Sequence, residues 1–225
     1  MVMDRFEVPK QYSELVAVKY AQKIARGEIV AGKYIILECI RFLNDLNSIE
    51  DEEFEWYFDI KVYKVIIGFS NFFKFADGIN AGKPMKLAEF QEWILANIFC
   101  WKHKKDDYIR FSRVYIQVSR KQGKSMILGY VGMIKALLTN YSQVFVVATK
   151  KDQAEIVIKE MKKLLDNAIP EVKERFTIYG KAKINKILCE ITQSELAPLS
   201  SDANTLDGLG VDLAKDLVIY TEMYI

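Results

Sequence analysis

Glycine, lysine and serine stand together at Gly123-Lys124-Ser125, inside the stretch VYIQVSRKQGKSMIL that spans residues 114–128. Their order is that of the last three positions of a phosphate-binding loop, G-x-x-x-x-G-K-[ST], which leaves a strand and opens a helix. Each residue type has a physical task in such a loop. Gly123 lets the backbone come close to phosphate oxygens. Amides at the start of the helix donate into a field that favours anions. The Lys124 ammonium can bridge β- and γ-phosphates, and the Ser125 hydroxyl can ligate Mg2+. Val118 stands five residues before Gly123, where the pattern has its first glycine, so the match is partial. An ordinary strand-to-helix turn with exposed cations fits the same three letters, and the setting has to decide between the two.

That setting is a β-rich run before the loop and an almost wholly apolar helical pattern after it. From residue 111 onward the chain carries short β-rich runs: VYIQV, VFVVA, FTIYG, INKILCEIT, LAPLS and LVIY. The first two are each followed by a helical segment, Ser125–Thr139 and Lys151–Asn167. Strand, loop, helix, strand, helix is the pattern of parallel βαβ units, and it predicts an α/β fold with a mostly parallel sheet flanked by helices.

The first third is helical instead. Leu15, Val18, Ala21 and Ile24 fall near one face of a helix that ends at Gly27, and Ile36, Ile40 and Leu43 repeat the pattern. A third helix is predicted from a cap at Asp59 to a stop at Gly78. The acidic run Glu50 to Glu55 reads as a solvated loop. Phe54, Trp56, Tyr57 and Phe58 read as a hydrophobic clasp over the helices. NAGKPMKLAEFQEW, with Gly82 and Pro84, reads as the link to the later part.

Bulk properties narrow the function classes. The 225 residues are 51% apolar and 28% charged, the balance of an ordered globular chain. No stretch reaches the roughly 18 uncharged apolar residues of a membrane helix. The start, MVMDRFEVPKQ, lacks the apolar core of a signal peptide, so a cytoplasmic protein is expected. Cys39, Cys100 and Cys189 form no metal-type pair and read as buried thiols. The single histidine, His103, lies in the charged run KHKKDD, which leaves little material for a histidine metal site or catalytic triad. A net charge of +2 does not argue for nucleic acid, so any basic face has to be local.

Five stretches occur in series: YAQKIARGEIVAGKYIILECIRFLNDL, EFQEWILANIFCW, VYIQVSRKQGKS, VFVVATKKDQA and LAPLSSDANTLDGLG. Together they resemble the ATPase half of tailed-phage terminase large subunits, the motors that pump DNA into procapsids. The resemblance runs from about residue 12 to about residue 214. Family members commonly carry Arg-Lys in place of the glycine-rich middle of the loop, so Val118 is unsurprising there. The resemblance implies a P-loop NTPase-type sheet in residues 86–225, truncated before or at its acidic strand, with residues 1–85 as a helical extension or lid. It implies ATP and Mg2+ as cofactors, held by the loop Ser119, Arg120, Lys121, Gln122, Gly123, Lys124 and Ser125, with Ser125 on the metal. Gln91 matches an adenine-contacting glutamine, a task that suits an amide able to donate and accept together; a polar residue beside core Trp93 is the plain alternative. Arg120 matches an arginine that senses or stabilises the γ-phosphate, where guanidinium suits the charge; an exposed arginine is the alternative. ATKKDQA closes the second strand as in the family, near DNA or nucleotide. Asp202 and Asp207 in LSSDANTLDG read as turn residues. Implied partners are double-stranded DNA, a small terminase subunit, a portal protein and further copies of the chain, in the cytoplasm of a bacterial host and with no membrane.

The match departs at the tail. The family needs a strand ending in two acids, one for Mg2+ and one to orient water. Here the chain reads VDLAKDLVIYTEMYI. If LVIY is the strand, Thr221 replaces the aspartate and Glu222 is the catalytic glutamate. If VDLA is the strand, Lys215-Asp216 stand where the pair belongs. The expectation is a tail out of register, with LVIY packed irregularly. The nuclease half of the family is absent from the sequence, so the chain reads as a fragment without DNA cleavage. Two other readings stay open: a helicase-like or other P-loop ATPase acting on nucleic acid, and a relic that binds nucleotide without turnover.

Overall fold

The computed structural model describes residues 6–76, 78–119, 121–148, 151–180, 183–200, 212 and 216–220. The chain sorts into two compact units, Met1–Ser70 with Lys86–Tyr115, and Asn71–Met85 with Ile116–Ile225. A single division at 85/86 does not separate them: residues 86–115 pack with the early helices, and residues 71–85 pack with the later chain.

The first unit holds α1 (Lys10–Ser13), α2 (Val16–Ala25), α3 (Lys33–Asn47), β1 (Trp56–Phe58), α4 (Ile60–Phe69), α5 (Glu89–Phe99) and β2 (Trp101–His103). The apolar face of α2 buries Ala17, Val18, Ala21 and Ile24, and α3 buries Cys39, Phe42, Leu43 and Leu46. Past α2 the chain turns at Gly27, whose φ of 76° is the left-handed conformation glycine supplies after a helix. β1 pairs antiparallel with β2. Phe58 meets Tyr12, Phe42 and Trp101 edge to face at centroid distances of 5.7, 5.9 and 5.3 Å, so the aromatic clasp forms as expected. Arg110 closes the unit: its guanidinium pairs with Asp45 at 2.6 Å and lies over the rings of Phe54, Trp56, Trp101 and Phe111. Asp59 caps α4, accepting from the Lys61 and Val62 amides at 3.0 Å each.

α4 ends at Phe69 rather than at Gly78. The Ser70 hydroxyl donates to the Ile67 carbonyl at 2.7 Å, a local bond that competes with helix continuation, and a 3-10 turn follows at Ser70–Phe72.

The second unit contains α6 (Lys124–Leu138), β3 (Gln143–Ala148), α7 (Lys151–Asp166), α8 (Pro170–Lys173), β4 (Phe176–Tyr179), β5 (Lys186–Cys189), β6 (Ser194–Ser200) and β7 (Leu217–Tyr220). The five strands form one sheet in the order β4-β5-β6-β3-β7. β3 pairs parallel with both β6 and β7, whereas β4–β5 and β5–β6 are antiparallel. The sheet is therefore mixed rather than mostly parallel. The reason is connection length: the short links from β4 to β5 and from β5 to β6 permit only hairpins, and a parallel return needs a crossover such as α7.

α6 packs against this sheet and against α7. A Cβ on Gly132 would lie 2.6 Å from Met161 Cε and 3.3 Å from Val144 Cγ1, so the missing side chain is what lets the three elements meet. The direction of α6 is set by two hydroxyls at the start of β6. Thr192 donates to the Ala136 carbonyl at 2.6 Å, and Ser194 donates to the Thr139 carbonyl at 2.7 Å. The end of α6 thus lies at the N-terminal edge of the parallel strands. With a rise of about 1.5 Å per residue, its first residue sits roughly 20 Å away, toward their C-terminal edge. Among the described residues no helix is long and apolar enough to cross a membrane.

Gly180, just after β4, has a φ of 114°, and a Cβ there would lie 2.0 Å from the Lys183 carbonyl oxygen. Gly180→Ala is expected to lose roughly 1–3 kcal/mol of stability through this backbone conflict. Thermal unfolding followed by circular dichroism checks it, and an unchanged midpoint would show that the turn relaxes freely.

Candidate nucleotide site

The loop at the start of α6 has two backbone features suited to an anion. Gly123 takes a φ of 73° immediately before the helix, and Lys121 takes 66° two residues earlier. Left-handed backbone at a lysine is sparsely populated and is found preferentially at functional turns. Left-handed residues interspersed with ordinary ones turn successive amides toward a common point, as in anion-binding nests. Gly123, Lys124 and Ser125 are half-buried, and Ser119, Lys121 and Gln122 are exposed. Among the described residues no carboxylate pairs with Lys121 or Lys124. Arg120 lies outside the described residues. Amides of a fresh helix start, two lysines and a hydroxyl are a donor set that fits a phosphate with its metal.

The run that leads into the loop departs from expectation. VYIQV forms no strand: residues 113–119 lie outside any strand, with Val114 49% and Tyr115 83% exposed. Ile116 and Val118 are half-buried while Gln117 and Ser119 are exposed, so the period-2 pattern persists without a ladder. A strand needs a partner edge as well as β-forming side chains.

Gln91 sits in the first turn of α5 and is 6% exposed. Its amide oxygen accepts from the Ala88 backbone N–H at 3.0 Å, which caps the helix from within. Beside it, Glu92 accepts from the Tyr63 hydroxyl at 2.8 Å, and burial pushes its carboxyl above the usual range.

The tail adopts one of the two registers. LVIY is the strand, paired parallel to β3 with Val144 opposite Leu217 and Val147 opposite Tyr220, and Ile219 is 5% exposed. The expected irregular packing of LVIY is corrected, because Ile219 meets the face of the sheet that α6 covers, near Gly132. Of the alternative strand VDLA only Asp212 is among the described residues, and it lies outside any strand. Asp216 precedes β7 and accepts from the Gln143 N–H at 2.7 Å, at the edge of the sheet remote from Gly123. It is therefore not an acid of the loop. Thr221 and Glu222 follow β7 in the sequence and lie outside the described residues, as do Asp202 and Asp207.

Sequence reasoning missed Lys135. It is a buried cation near the end of α6, 7% exposed, and its burial lowers its affinity for a proton against the opposing pull of Asp216 and Asp212. The only trace in the sequence is a lysine amid the apolar residues GMIKALL.

The sequence profile described as "Terminase large subunit, ATPase domain" matches residues 89–224, more than half of the chain. The chain belongs to the terminase large subunit ATPase-domain family. The match begins at α5, two residues before Gln91, and takes in the loop, β3, β6, β7 and Glu222. Among solved structures, the fold resembles that of the HK97 bacteriophage large terminase, with a TM-score of 0.55 and 18% identity over 71% of this chain. The aligned part covers 37% of that protein, so this terminase ATPase chain spans little more than a third of its length. No curated protein sequence matches the chain.

Proposed function

We propose that this chain is the ATP-binding portion of a phage DNA-packaging motor, and that Mg·ATP is held at Gly123-Lys124-Ser125. The observation that carries the reading is the left-handed turn at Lys121 and Gly123, opening a helix whose first residue is the invited lysine. Bound ATP with Mg2+ supplies the transferable γ-phosphoryl group and a cation that offsets its charge. The chain's own residues do the rest. The loop amides and Lys124 would orient the β- and γ-phosphates, Ser125 would offer its hydroxyl to the metal, and Arg120 would offset charge on the γ-phosphate. Glu222, following β7, aims the attacking water, and Thr221 beside it has no charge with which to hold the metal. Cradling is then intact and hydrolysis slow, because positioning and electrostatics carry most of phosphoryl-transfer catalysis.

In the intact motor this cycle moves double-stranded DNA with a portal, a small terminase subunit and further copies of the chain. Gln91 is the adenine contact of this reading, a task that suits an amide able to donate and accept together. DNA cleavage is not part of this chain's activity. Its one dense acidic run, Glu50 to Glu55, is a turn with exposed carboxylates, where Asp51 accepts from the Glu53 N–H at 3.0 Å.

Equilibrium binding of a fluorescent ATP analogue, with supercoiled plasmid incubated in parallel with Mg2+ or Mn2+, tests the reading. Metal-dependent nucleotide binding and intact plasmid are expected. Nicking that survives repurification, or no nucleotide binding, would contradict it.

A further inference from the structure

We propose that Asp216 is a positioning residue for hydrolysis, clamping the start of β7 to the start of β3 and so setting where the chain beyond Tyr220 leaves the sheet. The proposal rests on the nucleotide reading above.

The clamp uses both carboxylate oxygens. Oδ1 accepts from the Gln143 N–H at 2.7 Å, across 73 residues of chain, and Oδ2 accepts from the Asp212 N–H at 2.8 Å. The Asp216 N–H in turn donates to the Asp212 carbonyl at 2.7 Å. Gln143 and Asp216 stand one step before the first paired residues, Val144 and Leu217. The carboxylate thus ties the starts of β7 and β3 together at the edge opposite the loop.

β7 needs such a clamp. It has four residues, and among the described strands it pairs only with β3. A slip of one residue would move buried Ile219 to the face now occupied by Val218 and Tyr220, which are 39% and 64% exposed. A slip of two keeps the faces and displaces whatever follows β7 by roughly 7 Å. Hydrophobic patterning resists the first slip and not the second. A carboxylate meant to aim water tolerates neither. The bond to Gln143 is specific to one register.

Two arms test this on the full chain. In the first, Phe145→Cys with Val218→Cys reports the native register, and Phe145→Cys with Tyr220→Cys reports a slip of two. Asp216→Ala should lower disulfide formation in the first pair and raise it in the second. In the second arm, single-turnover ATP hydrolysis and ATP affinity are measured together. Asp216→Ala should slow hydrolysis at least ~10-fold while affinity stays within about twofold. Asp216→Asn, which keeps an oxygen for Gln143, should recover most of the rate and guards against simple misfolding of the alanine variant. The native cross-link pattern and an unchanged rate in Asp216→Ala would overturn the proposal. So would a parallel loss of rate and affinity, which marks general damage. Absence of ATP binding in the unmodified chain would refute the nucleotide reading itself, and with it a positioning role in hydrolysis, while the cross-links would still report whether Asp216 holds the register.

Discussion

Lys124→Ala is expected to weaken Mg·ATP binding at least ~10-fold, about 1.4 kcal/mol, with little change in stability. The side chain is half-buried at the first residue of α6 and has no acidic partner among the described residues, so its removal leaves no buried charge behind. On the proposed reading, what it removes is a cation that acts on bound polyphosphate. Affinity should therefore fall without a matching fall in the unfolding midpoint. Lys124→Arg should recover little, because a guanidinium is larger and planar where the loop offers room for a point charge. Calorimetric titration of the two variants against the unmodified chain reads the effect, and equal affinities would sink the phosphate assignment.

The second large effect concerns turnover. Glu222→Gln is expected to abolish the residual ATPase activity and leave affinity nearly unchanged, as for a group that acts on the attacking water rather than on the bound nucleotide. Thr221→Asp should act in the opposite sense. On the proposed reading an aspartate adds a charge suited to Mg2+, and a gain of about 10-fold or more in hydrolysis is expected. The pair makes the claim asymmetric: one substitution of the tail silences the site and its neighbour awakens it. Steady-state phosphate release decides. An unchanged rate in both variants would mean that the residues after β7 do not reach the nucleotide.

The helical elements of the first unit were legible in the sequence because their information is local. The apolar period of α2 and α3, the Asp59 cap and the glycine after α2 all act within a few residues. The loop was legible for the same reason, since Gly123, Lys124 and Ser125 are consecutive. What escaped depends on partners far along the chain. VYIQV has the residues of a strand and no ladder, and nothing within it could reveal that. The register of the tail was undecidable from VDLAKDLVIY alone, where two runs have similar β character. The pairing of LVIY with β3 and the hydrogen bond from the Gln143 N–H to the Asp216 carboxylate place the strand at 217–220. The antiparallel half of the sheet follows from loop lengths that only become loops once β4, β5 and β6 are placed. The interleaving of 71–85 and 86–115 between the two units is likewise tertiary, although Gly82 and Pro84 mark a turn nearby. The amide oxygen of Gln91 also serves its own helix terminus, a use that the sequence did not reveal.

The central claim is that nucleotide phosphates rest on the left-handed turn that opens α6. Peptide-level hydrogen–deuterium exchange, with and without Mg2+ and a non-hydrolysable ATP analogue, tests it most directly, because the amides said to hold the phosphates are the ones observed. Slowed exchange concentrated in residues 119–127 and lost in Lys124→Ala is the predicted result. Nucleotide-dependent protection that leaves residues 119–127 unchanged, or that survives Lys124→Ala undiminished, would contradict the account.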